Sequence, residues 1–181
     1  TPERSGELRE RSRDLPSWTL TERQLCDFEL LANGGFSPLR GFMTADEVAS
    51  VASSMRLPDG TLWPIPITLD VPEDVALAAE AAGDLALRDP EGVLLGVLHV
   101  ADTWAPDRFE QAAAVFGSTD VAHPGVHQLV KNTHAWCIGG PVEAVQLPLP
   151  KDLTGLRQTP AQKRAPVDER GGNPSEAFQT P

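Results

Sequence analysis

Residues 85–100, LALRDPEGVLLGVLHV, decide the fold class of this chain. Two apolar runs flank Asp89-Pro90-Glu91-Gly92, where proline stands second and glycine fourth, as a type I turn prefers. The stretch therefore predicts a β-hairpin. Upstream, apolar residues alternate from Ile65 to Val71 and predict a half-buried strand, whose prolines place its start at a sheet edge or a bulge.

Helical patterns stand on either side of these strands. Thr21 precedes Gln24 by three residues and Thr44 precedes Glu47 in the same way, so both pairs are capping boxes that begin helices. Gly139-Gly140 is predicted to join two further strands. Because strands and helices mix without a regular βαβ alternation, the sequence predicts an α+β domain with a curled antiparallel sheet.

The composition changes at both ends of the chain. Residues 1–17 are polar and poor in apolar side chains, and we expect a mobile N-terminal arm there. Residues 18–150 carry the apolar patterns and form the predicted domain. Residues 151–181 contain few large apolar side chains, so a mobile C-terminal tail is expected.

Negative charge is concentrated in the predicted domain. The chain has a net charge of −11, and residues 18–150 hold six Lys/Arg against eighteen Asp/Glu. Because neutralising phosphates supplies most non-specific affinity for nucleic acid, this balance disfavours a nucleic-acid partner. No apolar run is long enough to span a membrane and the first residues show no apolar signal region, so we expect a cytoplasmic protein without membrane association.

The sequence offers few candidates for chemistry. His123 and His127 have the i, i+4 spacing of a helical metal pair, but a proline and a glycine separate them and no carboxylate lies between, which favours a structural or solvent-facing role. His99 falls in a predicted strand and is expected to be a packed or exposed residue rather than a base. Cys26 and Cys137 fit neither a disulfide framework nor a zinc site. The residues therefore predict no catalytic constellation, no metal site and no cofactor.

Five blocks of the sequence occur in the order and form of a known family. They closely resemble the N-terminal domain of ATP sulfurylase (sulfate adenylyltransferase) over roughly residues 18–150: LTERQLCDFELLANGGFSPLRGFM, MRLPDGTLWPIPITLDV, ALRDPEGVLLGVLHV, VFGSTDVAHPGV and IGGPVEAVQLP. That domain is a PUA-like β-barrel with flanking helices. The resemblance therefore implies a PUA-like fold here.

The resemblance also implies where the chemistry of the family lies. ATP sulfurylases form adenosine 5′-phosphosulfate and pyrophosphate from ATP and sulfate in their next domain, which opens with Gln-Thr-Arg-Asn-Pro and carries later histidine motifs. Gln179 and Thr180 match the first two residues of that opening and are the implied substrate-binding residues. Pro181 stands where the family has arginine, so the chain is expected to be truncated at the start of the catalytic domain, without catalytic residues.

Three functions remain as hypotheses. The first is a non-catalytic PUA-like domain of a sulfate adenylyltransferase in sulfate assimilation, inactive alone and bound to a protein partner such as a complete sulfurylase. The second is one half of a split sulfurylase that is active with a separate catalytic chain. The third is an RNA-binding PUA-type module, which the negative charge of residues 18–150 disfavours.

Overall fold

The computed structural model of the chain describes residues 2–148, 159, 160 and 162. These residues form six helices: α1 (Pro2–Arg11), α2 (Glu22–Asn33), α3 (Ala45–Ser54), α4 (Glu73–Ala82), α5 (Arg108–Phe116) and α6 (Pro124–Lys131). They also form seven strands: β1 (Ser17–Thr19), β2 (Gly41–Phe42), β3 (Leu69–Val71), β4 (Asp84–Arg88), β5 (Leu94–His99), β6 (Asp102–Trp104) and β7 (Trp136–Ala144). Within this part of the chain, no helix combines the length and apolar character needed to cross a membrane.

Strand β7 is the centre of one curled sheet. The strand order is β1-β4-β5-β7-β2, and both β3 and β6 also pair with β7. The predicted hairpin is confirmed, since β4 and β5 pair antiparallel from Asp84 opposite His99 to Leu87 opposite Gly96. Helices and antiparallel strands therefore combine as the α+β prediction requires.

One strand pair departs from the predicted antiparallel sheet. β1 runs parallel to β4, with Ser17 opposite Ala86. The chain between these strands passes through α2, α3 and α4. A connection of that length returns the chain in its original direction, whereas a short hairpin would reverse it. The sheet is therefore mixed, and the expectation of a purely antiparallel sheet is wrong for this pair.

The predicted junction at Gly139-Gly140 is also wrong, because both glycines lie inside the continuous strand β7. A Cβ on Gly140 would stand 2.0 Å from the carbonyl oxygen of His99, and one on Gly139 would stand 2.5 Å from that of Met43. The glycines therefore permit a close approach of neighbouring backbone rather than a turn.

A single apolar core joins the helices to the sheet. It contains residues of α2, α3 and α4 together with residues of β2, β3, β4, β5 and β7, among them Phe28, Val51, Ala76, Phe42, Leu69, Leu85, Leu95 and Ile138. The two predicted capping boxes are confirmed at the starts of α2 and α3. Gly34 ends α2 in the left-handed conformation, with φ of 81°. The local signals thus fix where the core-forming helices begin and end.

The expectation of a mobile arm over residues 1–17 is corrected by α1. Pro2–Arg11 is helical, and Leu8 is only 1% exposed. Beyond the helix, Ser12 is also buried, and its carbonyl accepts a hydrogen bond from Arg88 (3.3 Å). Residues 1–17 are poor in apolar side chains, but the burial of Leu8 and the polar contacts that this segment makes with the sheet are enough to hold it against the domain.

The predicted tail over residues 151–181 lies outside the described residues, apart from residues 159, 160 and 162. Those three include another reciprocal cap. The Thr159 N–H donates to Gln162 Oε1 (2.8 Å), and the Gln162 N–H donates to Thr159 Oγ1 (3.2 Å). This is a capping box at a helical turn that begins at Pro160, a favoured first helical residue.

Candidate functional site

A buried carboxylate near the start of β7 organises the first polar network. Asp70 of β3 accepts hydrogen bonds from Gln24 Nε2 (3.1 Å), from the backbone N–H of His134 (2.9 Å) and from Arg23. Trp18 Nε1 donates in turn to Gln24 Oε1 at 2.9 Å. The donors come from α2 and from the segment before β7. Asp70 therefore fixes both against the sheet and is not presented to a ligand.

Arg108 of α5 extends this network toward Cys137. Its Nη2 donates to the carbonyl oxygen of His134 (2.6 Å) and lies 3.5 Å from Cys137 Sγ. Burial raises the pKa of the Cys137 thiol, although Arg108 opposes the shift. Burial likewise raises the pKa of Asp27, against the effect of Arg23. A thiol with a raised pKa is protonated near neutral pH and is a poor nucleophile.

A second network lies near the other end of β7 and is built on two carboxylates, which we call the acidic pair: Asp84 of β4 and Glu143 of β7. Asp84 contacts His99 Nδ1 (2.6 Å) and Arg11 of α1. Glu143 accepts two hydrogen bonds from Arg4 of α1, at 2.7 and 2.8 Å. These bonds lower the pKa of Glu143 to about 2. The acidic pair therefore ties α1 to the sheet.

The histidines take structural positions. His99 was expected to be a packed or exposed residue, but it stands between the two carboxylates of the acidic pair, with Nε2 3.5 Å from Glu143. His123 is the N-cap of α6, and its Nδ1 accepts from the N–H groups of Gly125 and Val126. His127 is exposed on the same helix. Within the described residues, no three or more His, Cys, Asp or Glu side chains are grouped so that they could hold a metal ion.

Two surface cavities are open to small groups. The larger, about 380 Å³, lies beside Gly140 and α3. Its charged lining consists of Arg40, Glu47 and Asp59, which together are net negative. The smaller, about 290 Å³, lies between the segment before β3 and helices α5 and α6, and Arg23 is its only charged lining residue. That guanidinium already binds Asp27 and Asp70, so neither cavity offers an anion a free set of cations.

Most arginines among the described residues already donate hydrogen bonds to groups of their own domain. The pairs are Arg4 to Glu143, Arg9 to Gln146, Arg11 to Asp84, Arg23 to Asp70, Arg56 to Gly60, Arg88 to Gly92 and Arg108 to His134. Transfer of a phosphoryl or adenylyl group requires fixed cations and donors aimed at the charge that develops. The described residues do not assemble such a site. Gln179 and Thr180, the substrate-binding residues implied by the resemblance, lie outside the described residues and stay a prediction.

The described residues form one curled sheet with flanking helices around a single apolar core. The chain belongs to the PUA-like domain family, whose model matches residues 1–147. This confirms the PUA-like fold that the resemblance implied. The match begins at residue 1 and ends at residue 147, so it includes α1 and most of the predicted 18–150.

Two relatives of the chain are sulfate adenylyltransferases. The chain is 44% identical over 179 residues to the sulfate adenylyltransferase of Mycosarcoma maydis, covering 97% of this chain and 31% of that protein. It is 43% identical over 169 residues to the sulfate adenylyltransferase of Saccharomyces cerevisiae, covering 93% of this chain and 33% of that protein. The chain spans about a third of the length of these relatives. The resemblance to sulfate adenylyltransferases is therefore confirmed.

A solved structure has a similar fold. The chain is similar to a hexameric APS kinase from Thiobacillus denitrificans, with a TM-score of 0.72 and 34% sequence identity. The likeness covers 94% of this chain and 29% of that one. In this comparison too, the chain corresponds to one part of a longer protein.

Sequence reasoning missed the acidic pair and the helix that it holds. One signal was available, because Arg4, Leu8 and Arg11 have the i, i+4, i+7 spacing of a helix face. The carboxylates that they meet lie far along the chain, and no local pattern connects them.

Proposed function

We propose that this chain serves as the PUA-like scaffold domain of a sulfate adenylyltransferase, the class of enzyme that forms adenosine 5′-phosphosulfate and pyrophosphate from ATP and sulfate. The observation that carries the proposal is the similarity to proteins of that name over 93% or more of this chain. The role is positional: the domain supplies a rigid, curled sheet on which the remainder of such an enzyme is held.

Residues 1–181 alone do not catalyse the reaction under this proposal. Joining ATP and sulfate brings two anions together, which demands a cationic pocket. Residues 18–150 are strongly acidic, with six Lys/Arg against eighteen Asp/Glu. The guanidinium groups of Arg23 and Arg108 are occupied by groups of the same domain. These observations support a structural role over a catalytic one.

The proposed partners are proteins of sulfate activation in the cytoplasm: a complete sulfurylase or a separate catalytic chain. The similar protein of solved structure from Thiobacillus denitrificans is a hexameric APS kinase, which favours a role within a larger assembly. The net negative charge disfavours nucleic acid as a partner.

A domain exchange tests the proposal. The segment of the Saccharomyces cerevisiae enzyme that matches this chain is replaced by residues 1–181, and formation of adenosine 5′-phosphosulfate is assayed with ATP, sulfate, Mg²⁺ and pyrophosphatase. We expect the exchanged enzyme to be soluble and active. We expect residues 1–181 alone to give only the background rate, and the enzyme lacking the segment to be insoluble or inactive.

Two results would contradict the proposal. One is turnover by residues 1–181 alone, which would place a nucleotide site within this chain. The other is full activity of the enzyme that lacks the segment, which would show that the scaffold is dispensable. As a control, an exchange carrying Asp70→Ala should lose activity because the inserted domain is destabilised.

A further inference from the structure

The smaller surface cavity, of about 290 Å³, has largely apolar walls. They come from the segment before β3, from α5 and from α6: Ile65, Pro66, Val115, Phe116 and Leu129. A Cβ on Gly125 of α6 would stand 2.7 Å from the Phe116 ring of α5. The two helices therefore pack closely only because residue 125 is glycine, and this packing builds the cavity into the fold.

One polar side chain of the cavity is buried without a partner. Thr68 is 9% exposed, and both its neighbours, Ile67 and Leu69, face the apolar core, so its own side chain faces the opposite side. Its carbonyl accepts from Arg23 (3.4 Å), but its hydroxyl has no hydrogen-bond partner among the described residues. Because that hydroxyl is not sealed from solvent, it opens to the cavity that Thr68 lines.

Two glutamine side chains add donors to the same cavity. Arg108 donates to Gln111 Oε1 (3.1 Å), and Asn132 donates to Gln128 Oε1 (2.9 Å). The Nε2 groups of both glutamines have no acceptor in the described part of the chain. A glutamine whose oxygen is already bound offers its two N–H donors. Both side chains therefore present donors where they line the cavity.

The charge of the cavity selects against ions. Arg23 is its only charged lining residue, and its guanidinium binds Asp27 (2.8 Å) and Asp70. One cation between two carboxylates gives an anion no net attraction, and apolar walls penalise the burial of any charge. Apolar walls with unused donors therefore suit an uncharged apolar group that stands beside a carbonyl oxygen.

We propose that this cavity binds an apolar side chain of a neutral polypeptide segment, together with the adjoining peptide carbonyl. The side chain fills the apolar part, and the carbonyl accepts from the Thr68 hydroxyl and the glutamine amides. The volume lies just below the range of about 300–1,000 Å³ that is usual for small-molecule pockets. Apolar surface continues outside it at Ile65 and Leu62, which are 47% and 66% exposed. A ligand longer than the cavity, such as a polypeptide, covers that surface as well. The binding site is independent of the proposed scaffold role, because its test requires no catalytic domain.

Titration of the full chain with capped amino acids tests this inference. N-acetyl-leucinamide is added while NMR follows the methyl groups of Thr68, Val115 and Leu129. We expect these signals to shift with a dissociation constant of about 3 mM, on the ligand efficiency of compounds of that size. N-acetyl-Leu-Leu-amide should bind about fivefold more tightly, because its second side chain covers Leu62.

Two further probes check the chemistry of the ligand. N-acetylglycinamide lacks the side chain and N-acetyl-leucine carries a carboxylate, so each should bind at least about tenfold more weakly than N-acetyl-leucinamide. Absence of shifts at the cavity up to about 50 mM N-acetyl-leucinamide would overturn the proposal. Equal binding of either weaker probe would also overturn it. A Leu-Leu compound that binds no more tightly would contradict the assignment of a polypeptide ligand.

Variants separate binding from a structural role of the same groups. Thr68→Val keeps the shape and removes the hydroxyl, so affinity for N-acetyl-leucinamide should fall about tenfold while the midpoint of denaturant unfolding does not fall. Gln128→Glu keeps an acceptor for Asn132 but replaces the donor, and a similar loss of affinity is expected. Gln146→Glu makes the same charge change beside Arg9, outside the cavity, and is the matched control. Wild-type affinity in Thr68→Val or in Gln128→Glu would contradict the proposal.

Discussion

The two ends of β7 carry ionic networks that differ in how their carboxylates are satisfied. Near the start of the strand, Asp70 is buried and receives donors from Arg23, Gln24 and the His134 backbone. Near its end, Glu143 is partly exposed and is held mainly by Arg4. Asp70 is bound by donors of α2 and of the segment before β7, whereas Glu143 is bound by a side chain of α1.

This difference separates structural from adjustable charge. Removing one partner of a buried, fully paired carboxylate leaves the others unpaired in a low dielectric, which is costly. Removing one partner of an exposed pair leaves groups that water can solvate, which costs little. The Asp70 network should therefore determine whether the domain folds, whereas the exposed Arg4–Glu143 pair should contribute little to folding. Asp84 is 3% exposed and belongs with the buried carboxylates in this respect.

Substitution at the buried end should have the largest effect. In Asp70→Ala, the His134 N–H loses its acceptor and the Arg23 guanidinium loses one of its two carboxylates, and we expect the free energy of unfolding to fall by about 3–5 kcal/mol. Denaturant unfolding followed by tryptophan fluorescence measures the change. Asp59→Ala, in an exposed turn, is the control and should shift the midpoint far less. Similar losses in the two variants would show that the Asp70 network is not structural.

Truncation of the buried residue of α1 should have an intermediate effect. Leu8→Ala removes the apolar contact that holds α1, and we expect a loss of about 2 kcal/mol, at the low end for buried leucines because the helix undocks instead of leaving a cavity. Exchange protection of residues 6–11 should fall more than that of residues 95–98. Leu77→Ala, on the exposed side of α4, is the matched control. If Leu8→Ala lowers both regions equally, α1 unfolds only with the whole domain.

Local patterns explain which parts of the fold could be predicted from the sequence. The hairpin and the capping boxes at Thr21 and Thr44 were predicted because their signals lie within a few residues of each other. The parallel pairing of β1 with β4 and the continuity of β7 were missed because each depends on contacts between distant segments. Residue 139 is glycine because of the backbone of residue 43, which no local pattern reveals.

The candidate site follows the same rule. A regular hairpin closed by residues 89–92 would place Val97 opposite Asp84. The observed turn pairs Arg88 with Leu94, which shifts the register by one residue, and an irregularity between Leu87 and Arg88 shifts it by one more and brings His99 there instead. The histidine could not be assigned to the acidic pair without that detail. Gln179 and Thr180 rest on the resemblance to ATP sulfurylase and stay predictions.

The smallest effect is expected for substitution of Arg4, which binds the partly exposed Glu143. Here the quantity to measure is the pKa of the Glu143 carboxyl and not the free energy of unfolding. The hydrogen bonds from Arg4 hold the pKa of Glu143 at about 2, below the ordinary value of 4.5. Because the folded-state pKa is depressed, the stabilisation is present above pH 4.5 and is lost as the pH falls through about 2. In Arg4→Gln, we expect the Glu143 carboxyl, followed by carbon-detected NMR, to titrate close to the ordinary value. Glu7→Gln, which leaves both hydrogen bonds to Glu143 in place, should keep the low midpoint. An unchanged midpoint in Arg4→Gln would mean that α1 does not govern the charge of the acidic pair.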